Sequence, residues 1–205
     1  MQLLEYFEAK RLLDRYGIHS VESRYVSSPE DAVRFASGKP VAMKVISGKA
    51  LHKSKAGLVR LNVGSEQDVR RSYAELSRRA AGLKPYRIIA QKMAKPGVET
   101  IVGSKTDEQF GKFVLMGLGG IYVEAFRDFS LRLCPITRMD AEDMLGELRS
   151  RSIITHSGRS EKRVVDMLLK LSDLVSRNEG IREIDLNPVI IRDDGYDVVD
   201  IRILK

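Results

Sequence analysis

The 205 residues include a single cysteine, three histidines and no tryptophan. One thiol, Cys134, excludes an internal disulfide framework, and His19, His52 and His156 lack the spacing of zinc ligands. Proline and glycine number 6 and 16, without repeat or low-complexity tract, which excludes collagen-like and disordered chains. No apolar run approaches the ~18 residues of a membrane span. The opening Met1-Gln2-Leu3-Leu4-Glu5-Tyr6 lacks the basic-then-apolar order of a signal peptide. A cytoplasmic protein with no membrane partner is expected.

The 43% hydrophobic and 31% charged content is that of a globular chain, long enough for one compact domain or two small lobes. The net charge of +7 is uneven. Residues 1–100 hold 19 Lys/Arg against 10 Asp/Glu, and residues 101–205 hold 16 against 18. A polyanion-binding protein has this distribution, as does an enzyme that holds a phosphorylated ligand between a basic lobe and an acidic, metal-binding one.

Tyr6, Ala9, Leu12, Leu13 and Tyr16 recur at helical spacing and Gly17 supplies a stop. Ser28-Pro29-Glu30-Asp31 reads as a helix start, reaching about Ser37, and Ser65 with Asp68 as another, reaching about Ala81. Strands are predicted at 20–26, 41–46, 58–63, 86–93, 98–105, 112–116 and 131–136. In the 58–63 strand, Leu58, Arg60 and Asn62 alternate with Val59, Leu61 and Val63. Gly117–Gly120 is expected as a loop, Thr137 with Asp140 as the cap of a helix to Leu148, and Arg159–Arg177 as a helix. A hairpin turning at Asp193-Asp194-Gly195 closes the chain. The pattern is α+β, in two lobes spanning 1–90 and 91–205.

Four groups of residues carry chemistry. Lys44 lies within an apolar strand on the face of Ala42 and Ile46, so it either snorkels from an edge strand or reaches a phosphate. The loop 48–57 packs Lys49, Lys53, Lys55 and His52 between glycines, and reads as a solvated loop or as a phosphate cradle with a histidine able to accept a phosphoryl group. Glu183, Asp185 and Asn187 share a strand face, and the hairpin brings Asp200 within about two residues of Asn187. That set is either a polar sheet face or a hard-oxygen site for Mg²⁺. Gly117-Leu118-Gly119-Gly120 completes neither a Rossmann nor a Walker A pattern.

Together these stretches resemble the β subunit, or β-like domain, of the ADP-forming acyl-CoA synthetases, an ATP-grasp family related to succinyl-CoA synthetase. The likeness is carried by Pro40–Val45, Leu51-His52-Lys53-Ser54, Gly97–Gly103, Gly117–Ile121, Arg132-Leu133 and Glu183–Pro188, in order along nearly the whole chain. The resemblance implies an ATP-grasp fold with ATP or ADP held between its lobes. It places Lys44, Lys53 and Gly57 on the phosphates, Gln91-Lys92-Met93 at the adenine hinge and Glu99 facing the nucleotide. It assigns Mg²⁺ to Asn187 and Asp200 with Asp185 near them, stabilisation of the transferring group to Arg132, and a phosphoryl relay to His52. It further implies an α subunit carrying the CoA site and the first phosphohistidine, in a heterotetramer. The reaction implied is acyl-CoA + ADP + phosphate giving acid + CoA + ATP. The loop departs from the family pattern, with Lys55 where an acid is usual and Leu58 in place of the second glycine of a pair. A non-catalytic, nucleotide-sensing subunit is therefore the alternative. A nucleic-acid-binding protein is the third reading, without an aromatic-basic motif to support it.

Overall fold

A computed structural model describes residues 2–48, 57–120, 128–155 and 158–205. The chain divides into two compact units, one of residues 21–94 and one of residues 1–20 with 95–205. The expected single boundary near residue 90 differs from this in that the first 20 residues join the second unit. Backbone pairing explains the difference: Gln2 N–H donates to Lys205 O (2.7 Å), Leu4 N–H to Ile203 O (2.9 Å), and Val198 N–H to His19 O (3.5 Å).

In the 21–94 unit, β1 (Ser23–Val26), β4 (Arg87–Lys92), β2 (Val41–Ile46) and β3 (Val59–Val63) form an antiparallel sheet in that order. Helices α2 (Pro29–Ala36) and α3 (Glu66–Arg79) bury Ala32, Phe35, Val69 and Leu76 against Val41, Met43, Val45, Ile88 and Ala90. Both helices start where expected, with Ser28 and Ser65 hydroxyls accepting the N–H groups of Asp31 and Asp68. The simple alternation expected along β3 fails, because Leu58 and Val63 both enter the core. The β2–β3 register shifts between Val41 and Met43, and Asn62 takes φ +55, so a bulge at Leu61–Asn62 turns the strand over.

In the second unit the sheet order is β10 (Ile201–Leu204), β8 (Glu183–Arg192), β5 (Val98–Asp107), β6 (Gly111–Leu118), β7 (Phe129–Leu133), with β9 (Gly195–Val198) continuing beside β8. Helix α6 (Gly158–Arg177) packs across β5, β6 and β8, and α4 (Arg138–Glu147) against β7. Two further helices are α1 (Tyr6–Arg15), set against β10, and the unexpected single turn α5 (Arg151–Ile154). Reading across paired residues, Ile201–Leu186–Val102–Met116–Ser130 and Ile203–Ile184–Ser104–Val114–Arg132 lie on the helix-covered face. Arg202–Asp185–Gly103–Leu115–Leu131 lies on the opposite, open face.

Gly117 and Leu118 extend β6 rather than forming the expected loop. A Cβ at Gly117 would lie 2.4 Å from Asp128 O, so glycine there lets two backbones close on each other.

Candidate functional site

On the sheet of the 21–94 unit, the face turned away from α2 and α3 carries Ala42 and Lys44 from β2 and Ile89 and Gln91 from β4. Lys44 pairs with Ile89 and Val59, and Ala42 with Gln91. Lys44 is 4% exposed and Gln91 1% exposed, so an ammonium and an amide are held on rigid central strands with little water around them. Lys44 is therefore no edge-strand lysine: its strand is flanked on both sides.

Adjacent strand residues point to opposite faces, and Lys92 accordingly leaves this surface. Its ammonium donates to Phe35 O (2.7 Å) and Ala36 O (3.4 Å) and lies 4.7 Å from the Phe35 ring centroid. That is a cation placed on the last carbonyls of α2, where the helix dipole favours it. Lys92, expected with Gln91 and Met93 at the adenine hinge, has its side chain placed on α2. Met93 follows the end of β4 and is half-buried. Gly57 takes φ +65, with its carbonyl accepting from Arg60 (3.3 Å). His52 and Lys53 lie outside the described residues.

In the second unit the residues expected to hold a metal lie on paired strands. Counting inward from Val189–Val198 and from Leu186–Ile201 sets Asn187 directly opposite Asp200, and Val199 N–H donates to Pro188 O at 3.0 Å. The β5–β8 register shifts between Thr100 and Val102, so Asn187 and Pro188 together face Ile101 in a bulge that breaks the run of the strand at this point. Ile184 and Leu186 are buried, whereas Asp185 is half-buried and Asn187 exposed, as alternation requires. Among the described residues no three His, Cys, Asp or Glu side chains are grouped to hold a metal ion. A cation between them would meet two carboxylates, one amide oxygen and oxygens from water or ligand, a donor set of the kind Mg²⁺ takes. Glu99 is exposed at the start of β5, and Gly119 N–H donates to its carbonyl (2.8 Å).

Arg132 does not join them. It lies in the row of Ile184 and Ser104, on the helix-covered face, whereas Asp185 faces the other way. Its guanidinium donates to both Glu147 carboxylate oxygens, one at 3.0 Å, and Ser130 Oγ donates to the same carboxylate at 2.5 Å. These hydrogen bonds, Arg132 first and then Ser130, hold the Glu147 carboxyl down to about 2. Arg132, expected at a transferring phosphoryl group, here fastens α4 to β7. A carboxyl with a depressed folded-state pKa stabilises above its unfolded value and loses that contribution as pH falls through the folded one. Glu147→Gln should melt below wild type at pH 7, and the gap should close between about 4.5 and about 2. Thermal melts across pH check this; a gap that does not change with pH refutes it.

Sequence reasoning passed over Arg202, which stands opposite Asp185 and two residues after Asp200. Period-two spacing from Asp200 was the available signal. At the other end the open face becomes apolar, and a cavity of about 210 Å³ is lined by Ile101, Leu115, Gly117, Leu118, Asp128 and Phe129.

The ATP-grasp domain model matches residues 1–204. The β subunit of acetate–CoA ligase (ADP-forming) II from Pyrococcus furiosus is 38% identical, over 97% of this chain and 89% of that subunit. Acetate–CoA ligase (ADP-forming) II of Archaeoglobus fulgidus is 41% identical over 100% of this chain, which spans 30% of that longer protein. Among solved structures, the dinucleotide-forming acetyl-coenzyme A synthetase 1 of Ca. Korarchaeum cryptofilum with coenzyme A and Ca-AMPCP superposes with a TM-score of 0.91 at 38% identity, covering 99% of this chain and 93% of that one. The same protein with coenzyme A and Mg-AMPPCP, its phosphohistidine segment pointing towards the nucleotide binding site, gives 0.84 at 38% identity, covering 98% and 92% of the two chains.

Proposed function

The chain belongs to the ATP-grasp family of ADP-forming acetate–CoA ligase β subunits, and from that premise we propose that it is the nucleotide-binding subunit of such an acid–thiol ligase. It moves a phosphoryl group between a phosphohistidine and ADP: the N–P bond breaks as an ADP β-phosphate oxygen bonds to phosphorus. With its partner the net reaction is acyl-CoA + ADP + phosphate giving acid + CoA + ATP, reversibly. The observation that carries this reading is the register that sets Asn187 opposite Asp200 with Asp185 beside them. The buried Lys44 ammonium and the apolar cavity on the open face supply the other two demands of a nucleotide, a fixed cation and an apolar surface.

Lys44 binds phosphate oxygens as a point charge whose strand cannot shift. Gln91 and the backbone at Met93 orient the base, and Glu99 the sugar side of the nucleotide. Asp185, Asn187 and Asp200 hold Mg²⁺, which when bound neutralises the charge of the phosphates. His52, with Lys49, Lys53 and Lys55 near it in sequence, accepts the phosphoryl group and passes it on. The charge division agrees with these roles: residues 21–94 hold 15 Lys/Arg and 6 Asp/Glu, and the remaining residues 20 and 22. The CoA site and the first phosphohistidine are assigned to a partner α subunit, with which the chain assembles as a heterotetramer in the cytoplasm. The acid is selected there.

Calorimetry with ADP and ATP tests the site. Affinity should be high in Mg²⁺ and low in EDTA, because unneutralised carboxylates repel the phosphates, and Asp200→Ala should remove at least about tenfold of the Mg²⁺ effect. Equal affinity in EDTA and Mg²⁺ would overturn the reading.

A further inference from the structure

We infer that Arg202 is the guanidinium that grips the terminal phosphate of the bound nucleotide beside the metal set. The inference rests on the nucleotide reading above and adds a residue to it.

Arg202 is paired with Asp185 on neighbouring antiparallel strands, so the two side chains leave the sheet on the same, open face with Cβ atoms about 5 Å apart. Asp200, two residues earlier, lies in the break between β9 and β10, opposite Asn187. A row that reads Arg202–Asp185–Gly103 has a side chain on only one flank of Asp185, since Gly103 contributes none. A Cβ at Gly103 would lie 2.7 Å from Ile184 O, so no side chain fits at that position.

Several arginines of this unit are engaged: Arg132 with Glu147, Arg177 with Asp173, Arg192 with Asp194 and Asp197. Arg202 is half-buried, yet its guanidinium makes no hydrogen bond or ion pair with another described residue. A guanidinium has five N–H donors in a fixed fork and is costly to desolvate without acceptors. Its fork fits two oxygens of one phosphate, and it lies next to the carboxylates through which a metal meets the same phosphate. Arg132 is turned to the other face, and Arg192, which the register places on the open face beyond the bulge, is committed to Asp194 and Asp197.

The test uses the full chain with Mg²⁺ and three probes, ATP, ADP and AMP, titrated by calorimetry into wild type, Arg202→Ala and Arg202→Lys, each checked for folding by thermal melting. Arg202→Ala should weaken ATP and ADP by about 10- to 100-fold while AMP changes less than twofold, because loss of a charged hydrogen-bond partner is felt only by the phosphates it reaches. Arg202→Lys should recover part of that loss, since an ammonium replaces the charge without the fork. ATP bound by Arg202→Ala as tightly as by wild type refutes the inference, as does an equal loss for all three nucleotides. If Arg202→Ala fails to fold, Arg202→Lys decides: unchanged ATP and ADP affinity refutes the role. Wild type binding no nucleotide in Mg²⁺ would instead overturn the nucleotide reading itself.

Discussion

His52→Ala is expected to bind ADP and ATP as wild type does and to lose ATP formation in the reconstituted complex by at least ~100-fold, the loss of a group that forms a covalent intermediate. Binding should survive because the groups proposed to hold the nucleotide lie elsewhere: Lys44 on β2, Gln91 on β4, and Asn187 opposite Asp200. Turnover should fail because imidazole can take a phosphoryl group near neutral pH and alanine cannot. Lys49, Lys53 and Lys55 surround His52 in sequence and supply positive charge for a phosphorylated ring. Single-turnover transfer from the phosphorylated partner to ADP, measured beside calorimetry, separates the two effects. Transfer at the wild-type rate removes the relay. An inert wild type that still binds Mg-nucleotide points to a non-catalytic, nucleotide-sensing subunit.

The readings that came through from sequence rest on periodicity over a strand or helix with its own punctuation. Ser28-Pro29 opens α2 and Thr137 with Asp140 closes a capping box on α4, because side chain and backbone satisfy one another within four residues. Strand alternation put Asp185 and Asn187 on the face away from Ile184 and Leu186, and the turn at Asp193–Gly195 brought Asp200 back. The bulge at Asn187–Pro188 and the break between β9 and β10, which set Asp200 opposite Asn187, depend on pairing with β5 and were invisible locally.

Two side chains lie where local sequence does not place them. Arg132 sits between Leu131 and Leu133, and the usual assumption puts the leucines inside and the arginine out. Here Leu131 and Leu133 are 46% and 52% exposed, and Arg132 faces the helices because Glu147, fifteen residues away, meets it there. Lys92 was grouped with Gln91 through adjacency in a motif, although neighbours on a strand face opposite ways. Only the position of α2's last carbonyls reveals what Lys92 serves.

Leu58→Gly, which restores the glycine pair usual in the resembled family, is expected to destabilise the 21–94 unit by about 3–5 kcal/mol. Leu58 is 2% exposed and belongs to the cluster built from α2, α3 and the sheet, with Val45 N–H donating to its carbonyl at 3.0 Å. Removing a buried leucine side chain costs about 2–5 kcal/mol through lost burial and the cavity left behind, and glycine adds up to ~1 kcal/mol of backbone entropy. Against a typical domain stability of about 5–15 kcal/mol, that is a large share. Leu58→Val should cost under about 1.5 kcal/mol, since most of the volume is kept. Denaturant melts of the three proteins should therefore rank wild type, Leu58→Val, Leu58→Gly. A Leu58→Gly loss under about 1 kcal/mol would show that the site collapses around the missing side chain. Leu58 thus departs from the family pattern in order to fill a core. Lys44, on the opposite face of the same strand as Val45, stays in place only while that core holds β2 flat against the helices. Nucleotide binding by Leu58→Gly should accordingly persist at temperatures where its unit remains folded and vanish with the same midpoint as the unfolding transition.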